Sequence, residues 1–253
     1  MRKPLSMEIQ PMLLILKSQF IMLNALDLFN HNTTMMDTLQ LVIEFIGTFA
    51  FAISGIRQAA AKKFDWFGGF VCGFAVAIGG GTLRDVMLGL TPFWMTSASY
   101  ITCTIFAQLV VIVFTKHMKR LDNAWMIFDT LGLALFTIVG LQKTLACGHP
   151  FWVAIIMGCM TGAAGGVIRD VLLNNVPVIF KKEIYAMASI VGGLAYWILT
   201  IAHINAVWAS ITTFFVVCAI RWLAIRYHIS LPILRNEENE GEVKEDDNEN
   251  IEE

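Results

Sequence analysis

The chain has 253 residues, of which 57% are hydrophobic and 15% charged, with a mean hydropathy of +0.65. Ordinary soluble domains hold about 45–50% apolar and about 25% charged residues, so a water-soluble enzyme of this composition is all but excluded. The formal net charge of −2 offers no strong attraction to nucleic acid, but it averages two unlike parts. Ten of the 20 acidic residues lie beyond Arg235, where Lys244 is the one basic group, so residues 1–235 carry 17 basic and 10 acidic groups, a balance of +7.

In chain order, residues 1–36 come first. Met12 to Phe29 is apolar but carries Lys17, Asn24 and Asp27 and lacks a small-residue cleavage site, so it reads as an interfacial or disordered extension rather than a leader or a span. The membrane domain, 37–230, contains seven segments near the roughly 20 residues that a helix needs to cross about 30 Å of hydrocarbon. They are 39–56, 66–83, 97–115, 125–142, 151–168, 184–202 and 205–223. These runs are continuous, without the alternation of a β-barrel strand. Trp66, Trp94, Trp125, Trp152, Trp208 and Trp222 fall at span ends, where interfacial aromatics belong. Residues 231–253 are acidic, without an apolar face, and read as a disordered cytoplasmic tail.

Loop charges set the orientation. Arg57, Lys62 and Lys63 follow the first span, Lys116, Lys119 and Arg120 the third, and Lys181 and Lys182 precede the sixth. Arg221, Arg226 and Arg235 are read as following the seventh, while the alternate loops hold little beyond Lys143. By the positive-inside rule the N-terminus is outside and the C-terminus cytoplasmic, in the cell's inner membrane. The five cysteines form no CxxC and the histidines no HExxH, so no metal, disulfide or cofactor site is expected. With no GxSxG or P-loop either, no catalytic residues are expected.

The chain matches itself when shifted by 85 residues. Glu44 falls on Asp129, Gly47 on Gly132, Phe51 on Phe136, Gly55 on Gly140 and Gly73 on Gly158. Gly80-Gly81 falls on Gly165-Gly166, Arg84-Asp85 on Arg169-Asp170, Pro92 on Pro177 and Tyr100 on Tyr185, with no gap. Chance similarity between apolar helices does not align glycines, acids, arginines and prolines together. Each copy holds three spans, an odd number, so the second copy must enter the membrane upside down. The expected fold is an all-α integral membrane protein of two inverted three-helix repeats, 39–115 and 125–202, plus a seventh helix at 205–223.

The second and fifth spans carry small residues at every fourth position: Gly69, Gly73, Ala77, Gly81, and Ala154, Gly158, Gly162, Gly166. Such a stripe is a close-packing surface for another helix. Consecutive glycines cost a helix about 1 kcal/mol each, so Gly79-Gly80-Gly81 and Gly165-Gly166 are read as a bend or break. Freed carbonyls at membrane depth are tolerated only beside protein or a water-filled path. Arg84 lies 18 residues beyond Trp66, about 27 Å along a helix. Intramembrane charges need partners, and two clusters are expected: Glu44 with Arg84 and Asp85 near the outer face, Asp129 with Arg169 and Asp170 near the inner face. They serve either as locks for the bent helices or as the mouths of a path. Thr82, Thr161, Ser54 and Gln108 are further polar candidates, each also explicable as a back-bonded or interhelical residue.

With GGGTLRD at 79–85, GGVIRD at 165–170, IEFIGTFAFAISG at 43–55, FDTLGLALF at 128–136, the proline after each Arg-Asp and KKEIYA at 181–186, residues 37–230 resemble a known family. It is the prokaryotic branch of the trimeric intracellular cation (TRIC) channels, whose bacterial members are also described as glycine-transporter-domain proteins. The resemblance implies seven helices in a homotrimer embedded in lipid, with a hydrated path in each protomer beside the bends at Gly79–Gly81 and Gly165–Gly166. It implies conduction of potassium or uptake of a small amino acid, glycine. The second copy reads GAAGG, so its bend is expected to be weaker. A channel would use carbonyls at the bends; a carrier would use the inverted symmetry for alternating access. The channel reading comes first and the carrier second; an intramembrane enzyme is set aside because Asp85 and Asp170 fall at opposite faces.

Overall fold

The structure is a computed structural model, and it describes residues 38–118, 124–180, 184–227 and 229. The N-terminal extension 1–36 and the acidic tail 231–253, with Lys119, Arg120, Lys181, Lys182 and Arg235, lie outside the described residues. Seven α-helices follow in order: α1 Thr38–Ala61, α2 Trp66–Met87, α3 Ser99–Met118, α4 Ala124–Ala146, α5 Phe151–Leu172, α6 Ala186–Ile201 and α7 Ala206–Tyr227. Five of them, α1, α2, α4, α5 and α7, are long and apolar enough to cross a membrane. Large apolar residues such as Ile46, Phe106, Val113, Ile156, Trp208 and Phe215 face outward, as they do on helices surrounded by lipid.

Local signals explain the ends. Asp65 caps α2 by accepting the Gly68 amide on Oδ1 at 2.7 Å. Past α2, Gly89 is left-handed with φ +70°, and past α5 Asn174 takes the same role with φ 52°. These are the two residue types that adopt this conformation most readily. In each case the next amide closes on the Asp of the Arg-Asp pair, Leu90 N on Asp85 O and Asn175 N on Asp170 O, both at 2.8 Å. Short 3-10 turns follow, Phe93–Met95 and Val178–Phe180.

α5 is central, packing against α4, α2 and α6, while α7 closes over α4 and α6. Of the expected bend or break, the break is absent: α2 and α5 run as uninterrupted helices through their glycines. What requires glycine is the neighbour. A Cβ on Gly80 would stand 2.0 Å from the Thr161 carbonyl oxygen, and one on Gly165 2.6 Å from the Val76 carbonyl oxygen. Backbone meets backbone where α2 crosses α5. Each of these contacts is the other shifted by 85 residues. The same reciprocity relates Gly55 against Gly73 to Gly140 against Gly158, and Gly47 against Phe136 to Gly132 against Phe51. Phe51 and Phe136, which are each other's match, stack at 5.4 Å with planes 9° apart.

Three other expectations shift. α1 runs on to Ala61, so Arg57 lies in its last turn rather than in a loop. α7 extends to Tyr227, and Arg221 is buried within it, not a loop charge. Trp94 turns inward, its Nε1 donating to Thr82 Oγ1 at 3.1 Å, whereas Trp66, Trp152, Trp208 and Trp222 are exposed.

Gly80→Ala and Gly165→Ala should each destabilise the fold by about 1–3 kcal/mol or more, the cost of over-packing, because backbone cannot step aside. Gly69→Ala, whose Cβ would find its nearest neighbour at 3.9 Å, should be neutral or stabilising. Denaturant unfolding in detergent distinguishes these outcomes, and equal effects at all three positions would contradict the crossing.

Candidate functional site

Each charge cluster is assembled where the start of one helix meets the end of another. In the first, Arg84 Nε donates to Asp85 Oδ1 at 2.7 Å and Arg84 Nη2 to Glu44 Oε1 at 3.5 Å. Glu44 Oε2 accepts from the Tyr100 hydroxyl at 3.1 Å, and Lys143 Nζ lies 2.7 Å from Glu44 Oε1. The remaining oxygen of Asp85, Oδ2, accepts the Phe93 amide at 2.8 Å. The Phe93 ring lies under both cations, each 5.7 Å from its centroid, a favourable placement against its electron-rich face.

The second cluster repeats this plan. Arg169 Nε donates to Asp170 Oδ1 at 2.9 Å, Arg169 Nη1 pairs with Asp129 Oδ1, and Asp170 Oδ2 accepts the Val178 amide at 2.9 Å. Its own additions are Ser54 Oγ of α1, which accepts from Arg169 Nη1 at 3.0 Å, and Trp125, whose ring lies 5.2 Å from the Arg169 guanidinium. Arg221 of α7 stacks on Tyr185 at 4.7 Å.

All six predicted charged residues, Glu44, Arg84, Asp85, Asp129, Arg169 and Asp170, are buried. An isolated buried charge is costly, and only pairing with hydrogen-bonded partners offsets that cost. The local logic is visible in the dipeptide: Asp binds the preceding Arg with one oxygen and staples the following loop with the other. The clusters are far apart. α4 contributes Asp129 to one and Lys143 to the other, fourteen residues away, roughly 21 Å along a helix. α1 contributes Glu44 to the first and Ser54 to the second, so α1 and α4 run in opposite directions between them.

In the first cluster every carboxylate oxygen has a partner and Arg84 Nη1 lacks one; in the second, Tyr185 stands by Asp129 as its counterpart Tyr100 does by Glu44, and Arg169 Nη2 lacks one.

Other predicted residues join neither cluster. Thr82 and Thr161 donate back to their own helices, to Ile78 O at 2.8 Å and Met157 O at 2.5 Å. Gln108 donates to Trp66 O at 2.7 Å on the exposed side. Gly79 faces Ile168, Gly81 faces Phe93, and Gly166 faces the Tyr185 hydroxyl. Sequence reasoning did not assign Lys143, Phe93, Tyr100, Tyr185 or Arg221 to the site. The tyrosines were already paired by the 85-residue register, and that they match was the available signal. Among the described residues no group of three or more His, Cys, Asp and Glu side chains could hold a metal ion.

Seven helices with duplicated buried acid–arginine pairs define a multi-pass membrane protein. The family model described as Glycine transporter matches twice, over residues 41–116 and 126–200, the two matches starting 85 residues apart. A UPF0126 membrane protein of Vibrio cholerae is 38% identical over 82% of this chain and 89% of its own. The UPF0126 inner membrane protein YadS of Escherichia coli K12 is 36% identical over 78% and 97%. Two solved structures are also similar. A structure described as the basis for conductance through TRIC cation channels is 31% identical with a TM-score of 0.70, covering 78% of this chain and 97% of that one. The TRIC trimeric intracellular cation channel orthologue from Rhodobacter sphaeroides is 28% identical with a TM-score of 0.72, covering 76% and 100%. The chain belongs to this UPF0126 and TRIC-channel family, a family of membrane channels and transporters rather than enzymes.

Replacing Arg169 by Gln should cost about 3–5 kcal/mol, the cost of leaving a buried partner unpaired. Adding Asp129→Asn should cost less than the sum of the two single changes, with a coupling of about 1 kcal/mol or more. A double-mutant cycle on thermal unfolding in detergent reads this, and strict additivity would refute the pair.

Proposed function

We propose that the chain is a monovalent-cation channel of the cell membrane, potassium being the expected ion, with one path in each protomer of a homotrimer. The observation that carries this reading is the likeness, at 31% identity and a TM-score of 0.70, to a TRIC cation channel; trimeric assembly comes from the Rhodobacter sphaeroides orthologue. The two three-helix units are inverted copies about an axis in the membrane plane. The reciprocal glycine contacts, the Phe51–Phe136 stack and the opposed directions of α1 and α4 support that symmetry.

In this reading the path follows the α2–α5 crossing beside Gly79–Gly81 and Gly165–Gly166, with Thr82 and Thr161 near it. The Glu44 cluster lies towards the outer mouth and the Asp129 cluster towards the inner one, with the N-terminus outside. Any bend at the glycines is a departure in direction from a continuous helix, not a gap in its hydrogen bonding. The arginines lock helices together while the acids give each mouth negative character, which lowers the desolvation cost of a cation.

A second reading, a carrier for a small amino acid such as glycine, is favoured by the family model's description. Inverted repeats serve alternating access equally well. Proteoliposome flux separates the two. A channel should pass K⁺ down its gradient at a rate that does not saturate, whereas saturable glycine counterflow without K⁺ conductance would overturn the channel reading. Tyr185→Phe and Asp129→Asn should alter conductance or selectivity in trimers that remain assembled, while Arg84→Gln should lose assembly and flux together.

A further inference from the structure

The Phe51–Phe136 stack occupies a special place in the duplicated chain. Each residue is the other's match under the 85-residue shift, so the two rings meet on the axis that relates the copies. In the inverted arrangement proposed above, that axis lies in the membrane plane and the stack lies at half depth. Spacing along the helices agrees. On α4, Phe136 stands seven residues from Asp129 of one cluster and seven from Lys143 of the other, roughly 10 Å each way. On α1, Phe51 falls between Glu44 of the first cluster and Ser54 of the second. The rings are thus interposed between the two ends.

Their surroundings hold them there. Both are 1% exposed, with centroids 5.4 Å apart and planes 9° from parallel. Each is seated against a glycine of the other copy: a Cβ on Gly132 would collide with the Phe51 ring, and one on Gly47 would stand 3.0 Å from Phe136. Phe51 also abuts the α2–α5 crossing, 3.5 Å from a Cβ placed on Gly165. Phe93, which lies beside the cations of the first cluster, is 6.3 Å from Phe136. Thr48 is buried one turn from Phe51, on the Glu44 side, and its hydroxyl has no hydrogen-bond partner among the described residues. Water on a path from that mouth would relieve the cost of such a group.

We infer that Phe51 and Phe136 form the closed constriction of the transport path, an apolar gate whose rings part when a cation crosses. The inference rests on the channel reading and adds to it the point at which the path is shut. Two stacked phenyl faces replace none of the hydrogen bonds that water or a hydrated ion would lose between them, and apolar constrictions of this kind close a pore by dewetting. The charge clusters then set the two mouths, while the rings between them decide whether the mouths communicate.

A gate and a merely structural stack respond differently when polarity changes at constant shape. Leucine and asparagine are nearly isosteric, so Phe136→Leu and Phe136→Asn remove the same ring and leave similar space. In K⁺ flux from proteoliposomes, scaled to assembled trimer, Phe136→Leu should stay within about twofold of the wild type, and Phe136→Asn should be about tenfold faster or more, because a polar side chain admits water to the constriction. The matching changes at Phe51 should show the same contrast, since the symmetry gives both rings the same part. Where Phe136→Asn does not assemble, Phe136→Tyr keeps the ring, adds one hydroxyl and should raise the flux several-fold. Equal flux in the wild type, Phe136→Leu and Phe136→Asn overturns the gate, as does slower flux in assembled Phe136→Asn trimers; in both cases the wild-type K⁺ conductance leaves the channel reading standing. Glycine counterflow without K⁺ conductance in the wild type overturns that reading, and the gate with it.

Discussion

The contact between α2 and α5 at Gly80 and Gly165 sets the rest of the architecture. Backbone atoms of the two helices approach so closely that no side chain fits between them. In lipid there is no hydrophobic force to bring helices together, so association rests on such close approach and on interhelical polar contacts. The crossing supplies the first and the charge clusters supply the second. With α2 and α5 fixed at their centres, the C-terminal turns of both diverge towards opposite ends of the bundle. Each carries its Arg-Asp dipeptide to where a carboxylate of α1 or α4 waits. Moving the crossing by one helical turn would carry Arg84 or Arg169 away from its acid and strand a fully buried guanidinium, at a cost of several kcal/mol. Glycine contact and ion pair thus fix the same register from two directions.

Much of this was legible in the sequence because the chain states it twice. An 85-residue shift that keeps glycines, acids, arginines and tyrosines in step identifies contacts as well as elements: residues that match across the copies meet in matching ways. Phe51 and Phe136 are the limiting case, a residue and its own counterpart in one stack. The charged pairs were foreseeable for the same reason, since an arginine within an apolar run must find an acid. Of the two alternatives read at the glycines, a break does not occur, because glycine there is more than a weakness of its own helix. Helix propensity describes a residue in isolation, and Gly79–Gly81 answer to Ile168, the Thr161 carbonyl and Phe93 across the interface. Spacing along one helix does not reveal the backbone of another.

What lay outside the repeat was harder to read. α7 has no copy, so nothing in the sequence set Arg221 apart from the loop cations of the positive-inside count. Only the fold reveals it buried over Tyr185. Lys143 was counted as an isolated loop charge because its partner, Glu44, stands a hundred residues away on a helix running the other way. Long side chains reach partners that periodicity does not predict.

The departures from symmetry are confined to single side chains. Copies related by exact symmetry would build identical clusters. Here the first cluster gains Lys143, a second cation on Glu44 beside Arg84. The second gains Ser54, Trp125 and Arg221 in its place: a hydroxyl that accepts from Arg169, a ring against its guanidinium, and a cation stacked on Tyr185. A carboxylate held by two cations gains more from each hydrogen bond in a low dielectric than one held by a single cation. The same Arg-Asp motif therefore serves two different electrostatic settings, and the difference comes from side chains contributed by helices that the motif itself does not touch in sequence.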